Sequence, residues 1–325
     1  MKYFILSFLS LTLLTACADK KKSNERYLAD ASGAINNVSV VVDNELWDGS
    51  IGEAIRNILA KPIYGLPQDE PTFTISQIPP SVFSGFVTKN RTVLKIEPNK
   101  EPGIEISENV YAKPQKVIVI SGKTKNEIIG ILVENESKII ETFRNQELEE
   151  RLRQMSKSPH QFTSIKEKLG LTIQFSSIYR IAKEDDNFFW VRKDITTGTN
   201  NLLIYVLQGN AIIRNDSVIN QIIKIRDSIG KQYVEGAVEG SYMVTENAYT
   251  PFHGETILDN KSALETKGIW DLKNGFMGGP FINYAIEDKI NNRWVVIEGF
   301  AFAPSVEKRN YMLELEAIIK SVKID

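Results

Sequence analysis

From Asn37 onward the apolar positions of the chain fall into recognisable periods. Val38-Ser39-Val40-Val41-Val42 is β-branched and almost wholly apolar, the pattern of a central strand covered on both faces. After a turn over 43–49, Ser50-Ile51-Gly52-Glu53 has capping-box spacing. Ile51, Ala54, Ile55, Ile58 and Leu59 then recur at helical intervals, which predicts a short amphipathic helix stopped near Lys61-Pro62. Pro67, Pro71, Pro79 and Pro80 punctuate the next stretch, where Phe73-Thr74-Ile75 can pair only at a sheet edge. Residues 83–96 read as strand broken by a Lys-Asn-Arg turn, 97–102 as a loop, and Val117–Ile120 as a second buried strand. Ile128, Leu132, Ile139, Phe143, Leu148, Leu152 and Met155 predict one long helix that ends before Ser158-Pro159.

The second half repeats this rhythm in outline. Leu171-Thr172-Ile173-Gln174-Phe175 alternates, while Phe188-Phe189-Trp190-Val191 and 202–207 read as sheet strands. Asp216 or Ser217 caps a helix through Ile219, Ile222, Ile223 and Ile229. Residues 236–245 predict a strand, 249–268 a loop-rich stretch and 294–302 another strand. Ser305 opens a last helix with Tyr311, Leu315, Ile318 and Val322 inward. The expected class is α+β, with mixed or antiparallel sheets and helices packed on one face. The repeated order suggests two similar halves divided near 156–160, although no residue-level repeat is visible.

Ahead of this body lies a different pattern. Lys2 is followed by an apolar run over 3–14, too short to span ~30 Å of hydrocarbon as a helix but of the length of a signal-peptide core. It ends in Leu14-Thr15-Ala16-Cys17, which resembles the lipobox of bacterial lipoproteins. That resemblance implies cleavage between Ala16 and Cys17, and a mature chain anchored in the bilayer through acyl chains on the Cys17 thiol and amine. The expected organisation is a signal peptide over 1–16, a lipidated polar tether over 17–34, an α+β half over 35–157 and a second over 158–325. Surface-exposed lipoproteins of the Bacteroidota resemble one another in an acidic cluster after the cysteine. Here Lys20-Lys21-Lys22 makes the tether basic, which favours an outer-membrane protein facing the periplasm.

Composition narrows the functional classes. The chain has 325 residues, 42% of them apolar, enough for a large core. Removal of Lys2 with the leader moves the formal net charge from −2 to −3, which gives no reason to expect nucleic acid as a partner. Cys17 is the only cysteine, so disulfides, a second thiol nucleophile and thiolate metal sites are excluded. His160 and His253 are too few for a histidine metal site, and no cofactor or metal is expected.

The candidate motifs are weak. Ser121-Gly122-Lys123-Thr124 lacks the earlier glycine that a phosphate-cradling loop needs, so a helix cap is expected there and nucleotide is not. Ser228…Lys231 and Ser305…Lys308 share the serine–lysine spacing of penicillin-recognising enzymes but have no companion motifs, and read as helix ends. His253, in an expected loop, reads first as a surface histidine and otherwise as one member of a dyad with a serine or aspartate from elsewhere; a hydrolase would use scattered residues such as His253 and Asp271. The densest stretch is Gly268–Phe281. It reads structurally as a tight hairpin corner with Trp270, Phe276 and Phe281 inward, and functionally as a ligand or partner loop carried by Trp270, Asp271, Gly278, Gly279 and Phe281, with His253 in the same candidate set.

Trp270, Met277-Gly278-Gly279-Pro280-Phe281, Val296-Ile297-Glu298-Gly299-Phe300, Ala303-Pro304, Lys308-Arg309 and Leu315–Ile319 resemble a family of Bacteroidota lipoproteins defined by a domain of unknown function. The resemblance supports the lipobox and the compartment and brings no activity with it. The expected function is a non-enzymatic envelope module that binds a ligand or assembles with an envelope protein. The alternatives are a hydrolase of an envelope polymer or a carrier of a lipid or small solute.

Overall fold

A computed structural model describes residues 27–325; the leader, Cys17 and the lysine tether lie outside the described residues. The run at Val38 forms β1 (Asn37–Val41), an interior strand of a five-stranded sheet with a neighbour on each side, as its apolar composition demands. The other strands are β2 (Thr74–Ile78), β3 (Thr92–Pro98), β4 (Gly103–Glu108) and β5 (Lys116–Gly122), in the order β2-β1-β3-β5-β4. β1, β2, β3 and β5 run parallel, and β4 closes one edge antiparallel to β5. Four helices belong to this half: α1 (Asn44–Trp47), α2 (Ser50–Leu59), α3 (Lys125–Glu134) and α4 (Glu136–Met155). Val38, Val40, Leu94 and Ile118 face Ile51 and Ile55 of α2, Ile128 of α3 and Phe143 of α4 in one core. The opposite face, with Val41, Val93 and Val117, is covered by Phe83 and Tyr111. The strand expected before residue 92 is replaced by 3-10 turns at Pro80–Val82 and Gly85–Lys89, consistent with the prolines that precede them.

The second half is built on an eight-stranded, wholly antiparallel sheet. Its strands are β6 (Arg180–Glu184), β7 (Phe188–Ile195), β8 (Gly198–Gln208), β9 (Tyr242–Thr245), β10 (Phe252–Leu258), β11 (Lys261–Lys273), β12 (Gly278–Asp288) and β13 (Arg293–Phe302). They lie in the order β9-β11-β12-β13-β8-β7-β6, with β10 on the other end of β11. The helices are α5 (Ser164–Leu169), α6 (Val218–Tyr233) and α7 (Arg309–Lys320). Ile204, Ile297 and Tyr284 face Leu315 and Ile318 of α7, and Leu148 of α4 joins the same core. Leu203, Val296 and Phe281 face Ile222 of α6 on the opposite side.

The class is therefore α+β with mixed and antiparallel sheets, as expected. Helices on one face describe the first sheet, whereas the second has helices on both, because its strands alternate large apolar residues toward each side. The halves do not share a topology, so the suggested duplication is not seen: parallel strands joined by helices make one, consecutive hairpins most of the other. Residues 249–268 are not a loop but the β10–β11 hairpin turned by Asp259 and Asn260, both at positive φ. The long helix is two, divided at Asn135, and α7 starts at Arg309 rather than Ser305. Thr124 does cap α3, in a reciprocal capping box with Glu127.

Charged groups fasten the halves together. Arg144 of α4 pairs with Glu316 of α7, and Arg151 Nη2 lies 3.2 Å from Glu314 Oε2. Glu70 accepts the backbone N–H groups of Lys308 at 2.7 Å and Arg309 at 2.8 Å, capping α7 from the first half. The Arg309 side chain donates to Pro71 O at 2.7 Å and Thr74 Oγ1 at 3.0 Å. Within the first half, buried Glu147 of α4 receives Arg91 Nε and Nη2, both at 2.9 Å, and the backbone N–H of Asn36.

Candidate functional site

The segment that sequence reading singled out is the β11–β12 hairpin, with Trp270 opposite Gly279 and Asp271 opposite Gly278. Its glycines are required by close approach. A Cβ on Gly279 would lie 2.1 Å from the carbonyl oxygen of Ala301 and 3.1 Å from Trp270 Nε1. With no side chain there, the Trp270 indole lies across the strand, donates to Ala301 O at 3.2 Å and meets Phe300 edge-on at 5.5 Å. The tight-corner reading of this stretch thus holds for Trp270 and Phe281, both buried. It fails for Phe276, which sits fully exposed at the tip between Asn274, at positive φ, and Met277.

Three concavities meet along 277–281. Pro280 and Phe281 line a cavity of about 230 Å³ between the halves, with Tyr64, Arg144, Lys267 and Glu316 on its other walls. Burial pushes the Glu316 carboxyl up, but Arg144, Lys320 and Lys267 outweigh it and hold it at about 2. Gly278 and Gly279 border a crevice of about 290 Å³ that also touches Asp271, Glu246 and Lys308. Met277 borders the most aromatic of the three, a cleft of about 360 Å³ walled by Trp190, Trp270, Phe300 and Phe302.

That aromatic cleft is built from consecutive strands. Trp190 and Arg192 project from β7, Thr199 and Asn201 from β8, Phe300 and Phe302 from β13 and Trp270 from β11, all to the same side of the sheet. Residues 234–237, between α6 and β9, close the remaining wall with Glu235 as the cleft's carboxylate. Asn201 is almost fully buried and fixed: its Oδ1 accepts Trp190 Nε1 at 3.0 Å and its Nδ2 donates to Thr199 Oγ1 at 3.0 Å. Arg192 Nε donates to Asp194 Oδ1 at 3.1 Å.

Deeper in the same face of the sheet lies a buried polar group. Arg226 of α6 reaches Glu298 Oε1 at 3.0 Å, donates to Thr245 Oγ1 at 2.9 Å and stacks 3.8 Å from the centre of the Phe281 ring. Burial pushes the Glu298 carboxyl up, an effect that Arg226 and the amide of Asn283 only partly oppose. Neither Arg226 nor Glu298 lines any of these three concavities, so the pair fastens α6 to the sheet.

His253 and Asp271 are not brought together. His253 is on β10 rather than in a loop, its Nδ1 3.1 Å from Thr266 Oγ1, and burial lowers its basicity. Asp271 lies five residues further along β11 than Thr266, roughly 17 Å at ~3.4 Å per residue, and its carboxylate accepts the N–H of Leu272. His160 stacks on Phe175 at 3.8 Å. Ser228 Oγ donates to Lys224 O on the surface of α6, away from catalytic company. Among the described residues no group of three His, Cys, Asp or Glu could hold a metal, and no helix is long and apolar enough to cross a membrane. Sequence reading missed Trp190, Arg192, Asn201 and Phe302. Its signal was the Phe-Phe-Trp-Val strand, read there only as sheet.

Residues 158–321, half of the chain, match the family model described as Domain of unknown function (DUF4837). The chain belongs to this family. The family segment contains every wall of the aromatic cleft. Residues 31–156 match a second model, Domain of unknown function (DUF8532). No curated protein matches the chain. Among solved structures it is similar to a Bacteroides thetaiotaomicron protein, at 13% identity over 48% of this chain with a TM-score of 0.29. The match spans about 45% of that protein's length. It is also similar to the Saccharomyces cerevisiae Ran-binding protein Mog1p, at 7% identity over 47% of this chain and 89% of the other, with a TM-score of 0.32. Likeness at this distance brings no function with it.

Proposed function

We propose that this protein is a lipid-anchored binding protein of the bacterial envelope, held at the outer membrane through acylated Cys17 and facing the periplasm, with the aromatic cleft as its ligand site. The observation that carries the reading is the wall composition of that cleft: four aromatic side chains and a fixed buried amide, with Glu235 as its carboxylate. A concave, mostly apolar site with a few placed polar groups is the usual build of a small-ligand pocket. The lipobox and basic tether support the anchor and the compartment.

The distance between His253 and Asp271 gives no support to a hydrolase that would use both. The cleft is open to solvent, unlike the sealed cavity a lipid carrier needs. The test is tryptophan fluorescence of the purified protein titrated with small-molecule extract from envelopes. A saturable change lost in Trp190→Ala supports binding at the cleft; a response that Trp190→Ala leaves intact refutes it.

A further inference from the structure

We propose that the ligand of the aromatic cleft is a neutral saccharide, an inference that rests on the binding reading above. The cleft pairs two kinds of wall. Trp190 and Phe302 are half-buried and leave ring surface open above the floor of Trp270 and Phe300. An aromatic face carries the negative part of its quadrupole outward, which attracts the weakly positive C–H groups on the apolar face of a sugar ring. Beside these rings on the same face are a hydroxyl and a guanidinium, from Thr199 and Arg192, and Glu235 supplies a carboxylate from the remaining wall. Neighbouring sugar hydroxyls each donate and accept, and this set offers both roles side by side.

The local hydrogen bonds sharpen the fit. Thr199 Oγ1 already accepts from Asn201, so its own O–H is left to donate outward. Asn201 is held from both ends and is ordered before any ligand arrives, which lowers the entropy cost of binding. Charge argues for neutrality. Arg192 is engaged by Asp194, and Glu235 is exposed and would repel an anion. A purely apolar guest would leave the Thr199 hydroxyl unpaired as it displaced its water.

The experiment uses the mature chain carrying Cys17→Ser, which needs no detergent. It is titrated by calorimetry and tryptophan fluorescence with maltotriose, cellotriose and triacetylchitotriose, and separately with n-decanol as an apolar probe. Binding of a trisaccharide, weakened about tenfold or more by Trp190→Ala and by Thr199→Val in variants that melt as the parent does, is the expected result. Saccharide binding untouched by both substitutions overturns the site. Decanol binding that Trp190→Ala abolishes, without saccharide binding, overturns the ligand class while the binding reading stands. Binding of neither class overturns both.

Discussion

Glu70 accepts the backbone N–H of Arg309 at 2.8 Å across 239 residues of chain, and with Lys308 N–H at 2.7 Å it closes the open end of a helix in the other half. The carboxylate sits buried at the positive end of the α7 dipole, where charge-assisted bonds to backbone donors are strong. Glu70→Ala is expected to cost about 2 kcal/mol of stability, and Glu70→Gln roughly half as much, since one acceptor oxygen survives. Denaturant unfolding of the two variants checks both the size and the order.

Along the β11–β12 hairpin, neighbouring positions should respond very differently. Gly279→Ala would push a methyl group to 2.1 Å from a backbone oxygen and is expected to cost more than about 3 kcal/mol or prevent folding. At Gly278 the nearest atom to an added Cβ is 2.9 Å away, so the cost is smaller. Phe276→Ser, at the exposed tip, should shift stability by no more than about 0.5 kcal/mol. Equal thermal melts for Gly278→Ala and Gly279→Ala would contradict the packing described.

Acid should loosen the seam between α4 and α7 through Glu316. Its carboxyl sits at about 2 in the fold, against an ordinary 4.5. A depressed carboxyl contributes its full stability above the unfolded value and loses it as pH falls through the folded one. The loss therefore runs from about pH 4.5 down to about pH 2 and amounts to about 3 kcal/mol for this nearly inaccessible side chain. Glu316→Gln should flatten that acid limb. A pH–stability profile of the same shape in wild type and variant would show that the limb belongs to other groups.

At the other end of the chain, Cys17→Ser should abolish metabolic labelling with palmitate and release the protein from the membrane fraction. Each acyl chain of the proposed anchor would add ~0.8 kcal/mol per buried methylene, and Cys17→Ser removes their attachment point. Palmitate incorporation that persists in Cys17→Ser would rule out the anchor.

Much of the fold was legible because apolar periodicity reports it directly. Val38–Val42, Ser50–Leu59, Val117–Ile120 and 294–302 all appear as the elements their patterns imply. What escaped has identifiable causes. In α4, Gln146, Glu147 and Glu150 are buried, yet charged residues in a helical pattern read as solvent-facing when their partners, such as Arg91, are more than fifty residues away. The β10–β11 hairpin was hidden because β10 lies at the edge, where Glu255 and Ile257 are exposed and alternation is weak. For the site, Trp270 and the glycines were visible as an unusual stretch. Trp190 and Asn201 were not, because their meaning comes from register: β7 and β8 place Trp190 beside Leu203 and Asn201 beside Arg192, and the diagonal contact between them appears only once the strands pair.

The ion pairs across α4 and α7 also constrain how the chain can be taken apart. Arg144 and Arg151 lie in the segment matched by one family model, and Glu316 and Glu314 in the segment matched by the other. Split between residues 156 and 158, the first piece would present Arg144 without Glu316 and α7 would lose its Glu70 cap, while Glu314 keeps Lys193 and Glu316 keeps Lys320 in the second. Each segment made alone therefore forfeits a cap or an ion pair that only the other supplies, so the seam exists only while both are present.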